Sequence, residues 1–492
     1  MIYFGPPVAF SAWLALFGYQ IAVAAFSNDA ANKKKDFISQ LSDDILISII
    51  ARLQTKDAVR TSILSHRWRY LHKFVPDIEL HCDRLFWPSP CPHDSNMVIN
   101  EVDDRFLKPR SGSKNKIRSL NLTCCLMKLN ANRFEQFIYS LGKSEIERLA
   151  LNFSAKFNDG DFSFSCHLLS HMPTLTYLDL SSCFLYKNAS SVLTQSSSLL
   201  QVIKFCGVNV LDSALECVLS NCLRLESLLM YDCSFPENVF VRGPNLQLKS
   251  LCIEGCKGIN EIEFYATNLL TFEFQSLEMA NFVFEHVPCL QSVFLDFVNG
   301  NTMSRVYENI SRGLPNVKSL IFGTKGLYQG IGNLEFAWFK DLRQLSLHFY
   351  DTTTINLNLV VSLIFTCPVL QEFHLDTENV KYVNGREVHR LAFAVIHTGL
   401  KKVEITGHAG TKSEIEFARY ILGLSSNLEQ MQISRWPKWY EGRGKWVGRN
   451  KRPWSKLTLE TIHKQLQGKA ISKKARLIIQ HRPIYEHTWT DV

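Results

Sequence analysis

Leu175-Thr176-Tyr177-Leu178-Asp179-Leu180-Ser181-Ser182-Cys183 is followed, fifty residues on, by Leu225-Glu226-Ser227-Leu228-Leu229-Met230-Tyr231-Asp232-Cys233. Apolar residues hold the first, fourth and sixth positions, and cysteine the ninth. The fourth and sixth positions alternate as in a strand with one face turned to a core. The same loose pattern starts at Ile117, Ile146, Leu175, Leu200, Leu225, Leu248, Leu269, Leu290, Val317, Leu342, Leu370, Leu400 and Leu428. Successive starts lie 21 to 30 residues apart.

That spacing is the period of a leucine-rich repeat. Each unit is read as a short strand followed by a helical return, as in 212–222, where Leu215, Val218, Leu219 and Cys222 share a face, and in 357–367. One unit cannot bury its own core, so the units are expected to stack into a curved solenoid with about 13 strands in one parallel sheet. Cys125, Cys183, Cys233 and Cys256 each lie eight residues after a repeat start, where a small buried side chain fills the turn after the strand.

The 14 cysteines include no C-x-x-C pair, which removes zinc-ribbon readings and fits a reducing compartment. A composition of 46% apolar and 20% charged residues is that of a folded protein. No phosphate-binding glycine loop, H-E-x-x-H or G-x-S-x-G motif occurs, so catalytic residues, metal ligands and cofactors are not expected. Cys91-Pro92-His93, in a proline-rich stretch, is read as a loop.

Upstream of the repeats, residues 36–76 read as three short helices. Ile45, Leu46, Ile49, Ile50 and Leu53 form an apolar stripe at helical spacing, with Ser42 placed to cap it. Thr55 can open a second helix and Ser65 a third that carries Trp68 and Leu71. Residues 1–28 hold no charge, and 8–26 approach the ~20 residues of a membrane helix. An extension dispensable to the fold, a membrane anchor and a cleaved signal are the three readings. The missing basic n-region argues against the signal.

Thr411-x-x-Glu414 is a capping box heading a helix with Ile415, Ala418, Ile421 and Leu422 inside. Beyond Ser434, a loop rich in Trp and Gly (Trp436, Trp439, Trp446, Trp454) precedes a helix at 457–466 and a strand at 477–479, which together would close the solenoid's open end. Residues 435–492 hold 14 Lys/Arg and 4 Asp/Glu, a local charge of +10 against +8 for the whole chain. Cations interleaved with tryptophan can grip nucleic acid, but a solvated basic end-cap is the expected reading.

Asp36-Phe37-Ile38-Ser39-Gln40-Leu41-Ser42-Asp43-Asp44-Ile45-Leu46, with Leu53-x-Thr55-Lys56-Asp57-Ala58-Val59-Arg60-Thr61-Ser62-Ile63-Leu64-Ser65-His66-Arg67-Trp68-Arg69-Tyr70-Leu71, closely resembles the plant F-box. Leu400-Lys401-Lys402-Val403-Glu404-Ile405-Thr406-Gly407 through Glu414, with Leu428-Glu429, resembles the FBD region that often ends such proteins. One departure stands out: Ser42 occupies the place where the family usually has proline. The resemblance implies an α/β chain: a three-helix F-box head, a leucine-rich-repeat solenoid and an α+β C-terminal cap. The divisions are 1–35 extension and spacer, 36–76 F-box, 77–434 solenoid (FBD-like over about 368–434) and 435–492 basic Trp-rich cap.

It further implies a non-enzymatic subunit of a Skp–cullin–F-box ubiquitin ligase in cytoplasm or nucleus. The head would bind a Skp-type adaptor, and through it a cullin and a RING subunit. The candidate adaptor-binding residues are Leu41, Ser42, Ile45, Leu46, Ile49, Ile50, Leu53, Val59, Ile63, Trp68 and Leu71, several of which, Trp68 among them, are expected to pack the head's own core. The repeat surface would take a target protein whose identity is not encoded in any general way. The alternatives are a repeat-based binding protein outside a ligase, and a receptor anchored in a membrane through 8–26.

Overall fold

The apolar positions of the repeats become core-facing strand positions. A computed structural model describes residues 38, 40–53, 55–86, 94–108, 116–124, 131–153, 162–187, 199–211, 213–243, 245–278, 280–297, 313–314, 316–324, 339–349, 354–355, 357–378, 380–382, 396–449 and 451–480. The run 8–26, Cys91–His93 and Cys125 lie outside them. No helix among the described residues is long and apolar enough to cross a membrane. The chain divides into two units, Met1–Val75 and Pro76–Val492.

In the second unit all thirteen expected strands lie side by side in one parallel sheet of fifteen. The register is straight: Leu120 pairs with Leu149, Leu149 with Leu178, Leu178 with Ile203 and Ile203 with Leu228. Core leucines therefore stack above one another in continuous buried rows. The two further strands lie at the ends. Arg476–Gln480 is the expected closing strand. Asp77–His81 pairs with Ser119–Thr123 and starts the sheet. Its Ile78 and Leu80 fit the repeat, but the repeat starts expected from sequence begin only at Ile117, and the leading apolar residue here, Val75, is buried in the core of the first unit.

Two returns are helical as expected, at Ala214–Asn221 and Leu357–Phe365. Others are not. The repeats starting at Leu225, Leu248 and Leu269 are 23, 21 and 21 residues long, too short for a helical turnaround. Their returns instead contain the strands Asn238–Arg242, Glu261–Tyr265 and Asn281–His286, which form a second parallel sheet. Alternating Val239/Val241, Ile262/Phe264 and Phe282/Phe284 supply its apolar side. Cys183, Cys233 and Cys256 are buried where the turn needs a small side chain. The Cys233 thiol donates to the Tyr231 carbonyl at 3.3 Å.

The first unit contains the helices Asp43–Ile50 and Thr55–Arg60, then 3-10 segments at Thr61–Ile63 and Trp68–Phe74. The third element is thus a 3-10 helix, where an α-helix was a natural reading. Ser65 starts it by accepting from the Trp68 amide at 3.4 Å.

Candidate functional site

Two surfaces can do work here, one on each unit. In the head, Leu46, Ile50, Ala58, Trp68, Leu71 and Val75 form a small closed core, with Leu41 and Leu53 packed against it. Six of the eleven candidate residues therefore hold the module together. Ile49 is half-buried, while Ser42, Ile45, Val59 and Ile63 face outward, Ile63 being 85% exposed. Leu64, Tyr70 and Phe74 are also exposed, and the periodicity argument missed them because they lie off the helical stripe. Among the described residues, six of seventeen exposed large apolar side chains fall within residues 45–74. These 30 residues leave much apolar surface uncovered.

Ser42 occupies the N-cap position but makes no side-chain capping bond, contrary to the expected role. Arg67 holds the helix entry instead: its Nε donates to Asp43 Oδ1 at 2.8 Å and its guanidinium to the Leu41 carbonyl at 2.6 Å.

The second surface is the face of the long sheet that points away from the core. On Ser119–Thr123, Arg148–Asn152 and Tyr177–Ser181 its side chains are half-buried or exposed. On the later strands Phe294, Ile321, His348, His374, Asp376 and Thr406 are buried. Their cover is the segment read from sequence as a loop, which is an antiparallel hairpin of Lys438–Tyr440 and Trp446–Gly448. Tyr440 meets Phe294 edge-on at 4.8 Å, and Trp446 lies 5.6 Å from His348 and 5.2 Å from His374. At the tip, Glu273 accepts from the Tyr440 hydroxyl at 2.8 Å and from the Arg443 amide at 2.8 Å. The hairpin is a strap over the outward face, and the end-cap proper is the helix Lys456–Leu466 with the strand Arg476–Gln480.

Four basic residues of this segment are tied to the body. Lys438 pairs with Glu404 at 3.2 Å, while Lys451 and Arg449 pair with Glu378 at 2.9 and 3.4 Å. Arg435 donates to the His408 carbonyl at 3.2 Å. These cations serve the strap, so the picture of a merely solvated basic cap is corrected for them.

Under the strap's base lies the FBD-like region. Thr411 and Glu414 form the expected capping box, and Ile415, Ala418, Ile421 and Leu422 are buried as read. Glu414 is buried and accepts from the Ala409 amide (3.0 Å), the Thr411 amide (2.8 Å) and the Tyr382 hydroxyl (2.8 Å). Burial pushes its carboxyl up, but these three donors outweigh that and leave it below its ordinary value. The nearby His408 ring is not an ion-pair partner. Gly410 donates to its Nδ1 at 3.1 Å, so that nitrogen carries no proton, and burial keeps the ring neutral. Gly407 has φ +68°, and a Cβ there would come within 2.7 Å of the Glu378 amide nitrogen. Only glycine fits that turn.

The F-box domain family model matches residues 38–71, and the model of the At1g61320/AtMIF1 LRR domain matches residues 106–470. The chain belongs to the plant F-box/leucine-rich-repeat family. One F-box/FBD/LRR-repeat protein of Arabidopsis thaliana is 24% identical over 426 residues, covering 82% of this chain and 91% of its own length. Another from the same plant is 26% identical over 421 residues, covering 81% and 91%. A leucine-rich-repeat protein of Leptospira interrogans aligns with a TM-score of 0.31 at 14% identity, over 73% of this chain and 95% of that one. Members of the F-box/leucine-rich-repeat family are generally non-catalytic adaptors, and an F-box domain typically binds a Skp-type adaptor.

Proposed function

We propose that this F-box/leucine-rich-repeat protein is the target-recognition subunit of a Skp–cullin–F-box ubiquitin ligase. The head docks on a Skp-type adaptor, which links it to a cullin and a RING subunit. The solenoid holds a target protein close to the conjugating enzyme, and the chain itself makes and breaks no bonds. The boundaries that go with this reading are 36–76 for the F-box, 77–434 for the solenoid with its FBD-like part at about 368–434, and 435–492 for the C-terminal segment. Cytoplasm or nucleus suits the reduced cysteines.

The observation that carries the reading is the uncovered apolar set of the head: Ile45, Val59, Ile63, Leu64, Tyr70 and Phe74 are exposed although the module already has a closed core. Apolar anchors of this kind fill a partner's groove. For the target, the open outward positions of the earlier strands are the natural surface, since the strap occupies the later ones.

The test is recovery of the Skp-type adaptor by the full chain carrying Ile45→Asp and Ile63→Asp together. Both side chains are exposed, so the fold should melt as wild type. Two lost anchors at about 2 kcal/mol each weaken binding by roughly three orders of magnitude if additive. Wild-type recovery by this variant would refute the docking surface.

A further inference from the structure

We infer that Glu135, His167 and His171 form a binding site for a divalent transition metal, of which Zn2+ is the representative. Glu135 belongs to the helix Ala131–Lys143, and the two histidines to the 3-10 segment Cys166–His171 that follows in the next return. One ligand atom from each residue lies within 4.8 Å of the other two. Among the described residues this is the one place where three side chains able to bind a metal converge. In sequence the carboxylate is 32 residues from the nearer imidazole, so no spacing rule reveals it. Stacking of consecutive repeats creates it.

The donor set suits the ion. Two imidazoles and a carboxylate, with the remaining position open to water, are a known pattern for zinc, and the absence of thiolate disfavours a copper(I) site. His167 is already oriented for the task. Its Nδ1 lies 2.6 Å from Ser165 Oγ, and Ser165 is buried. Without an ion, Nε2–H donates to Glu135 Oε1 at 3.2 Å; a bound metal would take the place of that proton, with Nδ1–H donated to Ser165. A metal-bound histidine ordinarily has such an outer partner fixing its tautomer. Ligand atoms around a tetrahedral ion stand about 3.4 Å apart at bonds of about 2.1 Å, so the widest pair here closes by roughly 1.4 Å. Glu135 is exposed and free to turn inward on its own rotamers. The ion would staple two successive returns together on the side of the solenoid opposite the long sheet's outward face.

The experiment is titration of the reduced full chain with ZnCl2 by calorimetry, with MgCl2 as control, and with Co2+ as a spectroscopic probe. One equivalent of Zn2+ is expected to bind, raising the melting temperature, with no response to Mg2+. His167→Gln, His171→Gln and Glu135→Gln should each weaken binding at least tenfold, and Ser165→Ala by a smaller factor, while all four melt near wild type without metal. The Co2+ spectrum should lack a thiolate charge-transfer band. Absence of stoichiometric binding, unchanged affinity in the histidine variants, or a thiolate band that places the ion on cysteines would each overturn the proposal.

Discussion

Ser42 shows how much one residue can hide from sequence reading. A serine ahead of an apolar stripe looks like a cap, yet its side chain caps nothing, and Arg67, 24 residues from its partner Asp43, does the holding. The backbone at Ser42 has φ −66°, the angle proline fixes. Ser42→Pro, which restores the family's usual residue, is therefore expected to stabilise the chain by about 0.4–1 kcal/mol through the unfolded state, measured by denaturant unfolding. A loss of stability would mean that the segment needs a freedom the angle does not reveal.

Asp376 offers a test with a definite sign. Burial pushes its carboxyl up to about 8 from an ordinary value near 3.8, with Glu378 adding to the rise. A raised acid binds its proton more tightly in the folded state, so its stabilising contribution is complete below pH ~4 and is lost as pH rises through about 8. Asp376→Asn removes that dependence. The stability of wild type relative to the variant is expected to fall steadily between pH 5 and 8 and then level off. A flat difference across that window would show the carboxyl to be ionised throughout.

At the scale of elements, strands were the most legible part, because the positions that face the core carry apolar residues thirteen times over. The returns were less so. Whether a return is helix or strand depends on how many residues are left after the turn, and the 21-residue repeats leave room only for extended chain. The strap left only a faint trace in the sequence. Its contacts run from Tyr440 to Glu273, 167 residues away, and its tryptophans and glycines resemble those of any loop. Phe294 and Ile321 carried a faint signal: they are large apolar residues at strand positions that should face solvent. Trp446 packs on His348, His374 and Tyr440 and supports the strap's centre. Trp446→Ala is expected to cost about 3 kcal/mol locally and make 438–448 protease-sensitive while the sheet stays intact. Cleavage no faster than wild type would show that the Glu273 and Glu404 contacts hold the strap by themselves.

For the whole molecule, the division of labour follows from where apolar surface is finished and where it is not. The solenoid buries its rows of leucines internally, closes one end with the Lys456–Leu466 helix and covers part of its outward face with its own strap. The head closes a core of six buried residues and still leaves Ile45, Val59, Ile63, Leu64, Tyr70 and Phe74 in solvent. The motif in residues 36–71 marks the head in the sequence, but sequence does not separate its core residues from its surface residues, since both kinds fall on the same short helices. Hydrogen–deuterium exchange on the full chain, with and without a Skp-type adaptor, tests whether the head's exposed apolar surface is the docking site. The adaptor is expected to slow exchange across 43–50 and 55–74 and to leave the strands of the long sheet unchanged. Protection confined to the solenoid, or no protection anywhere at saturating adaptor, would contradict this.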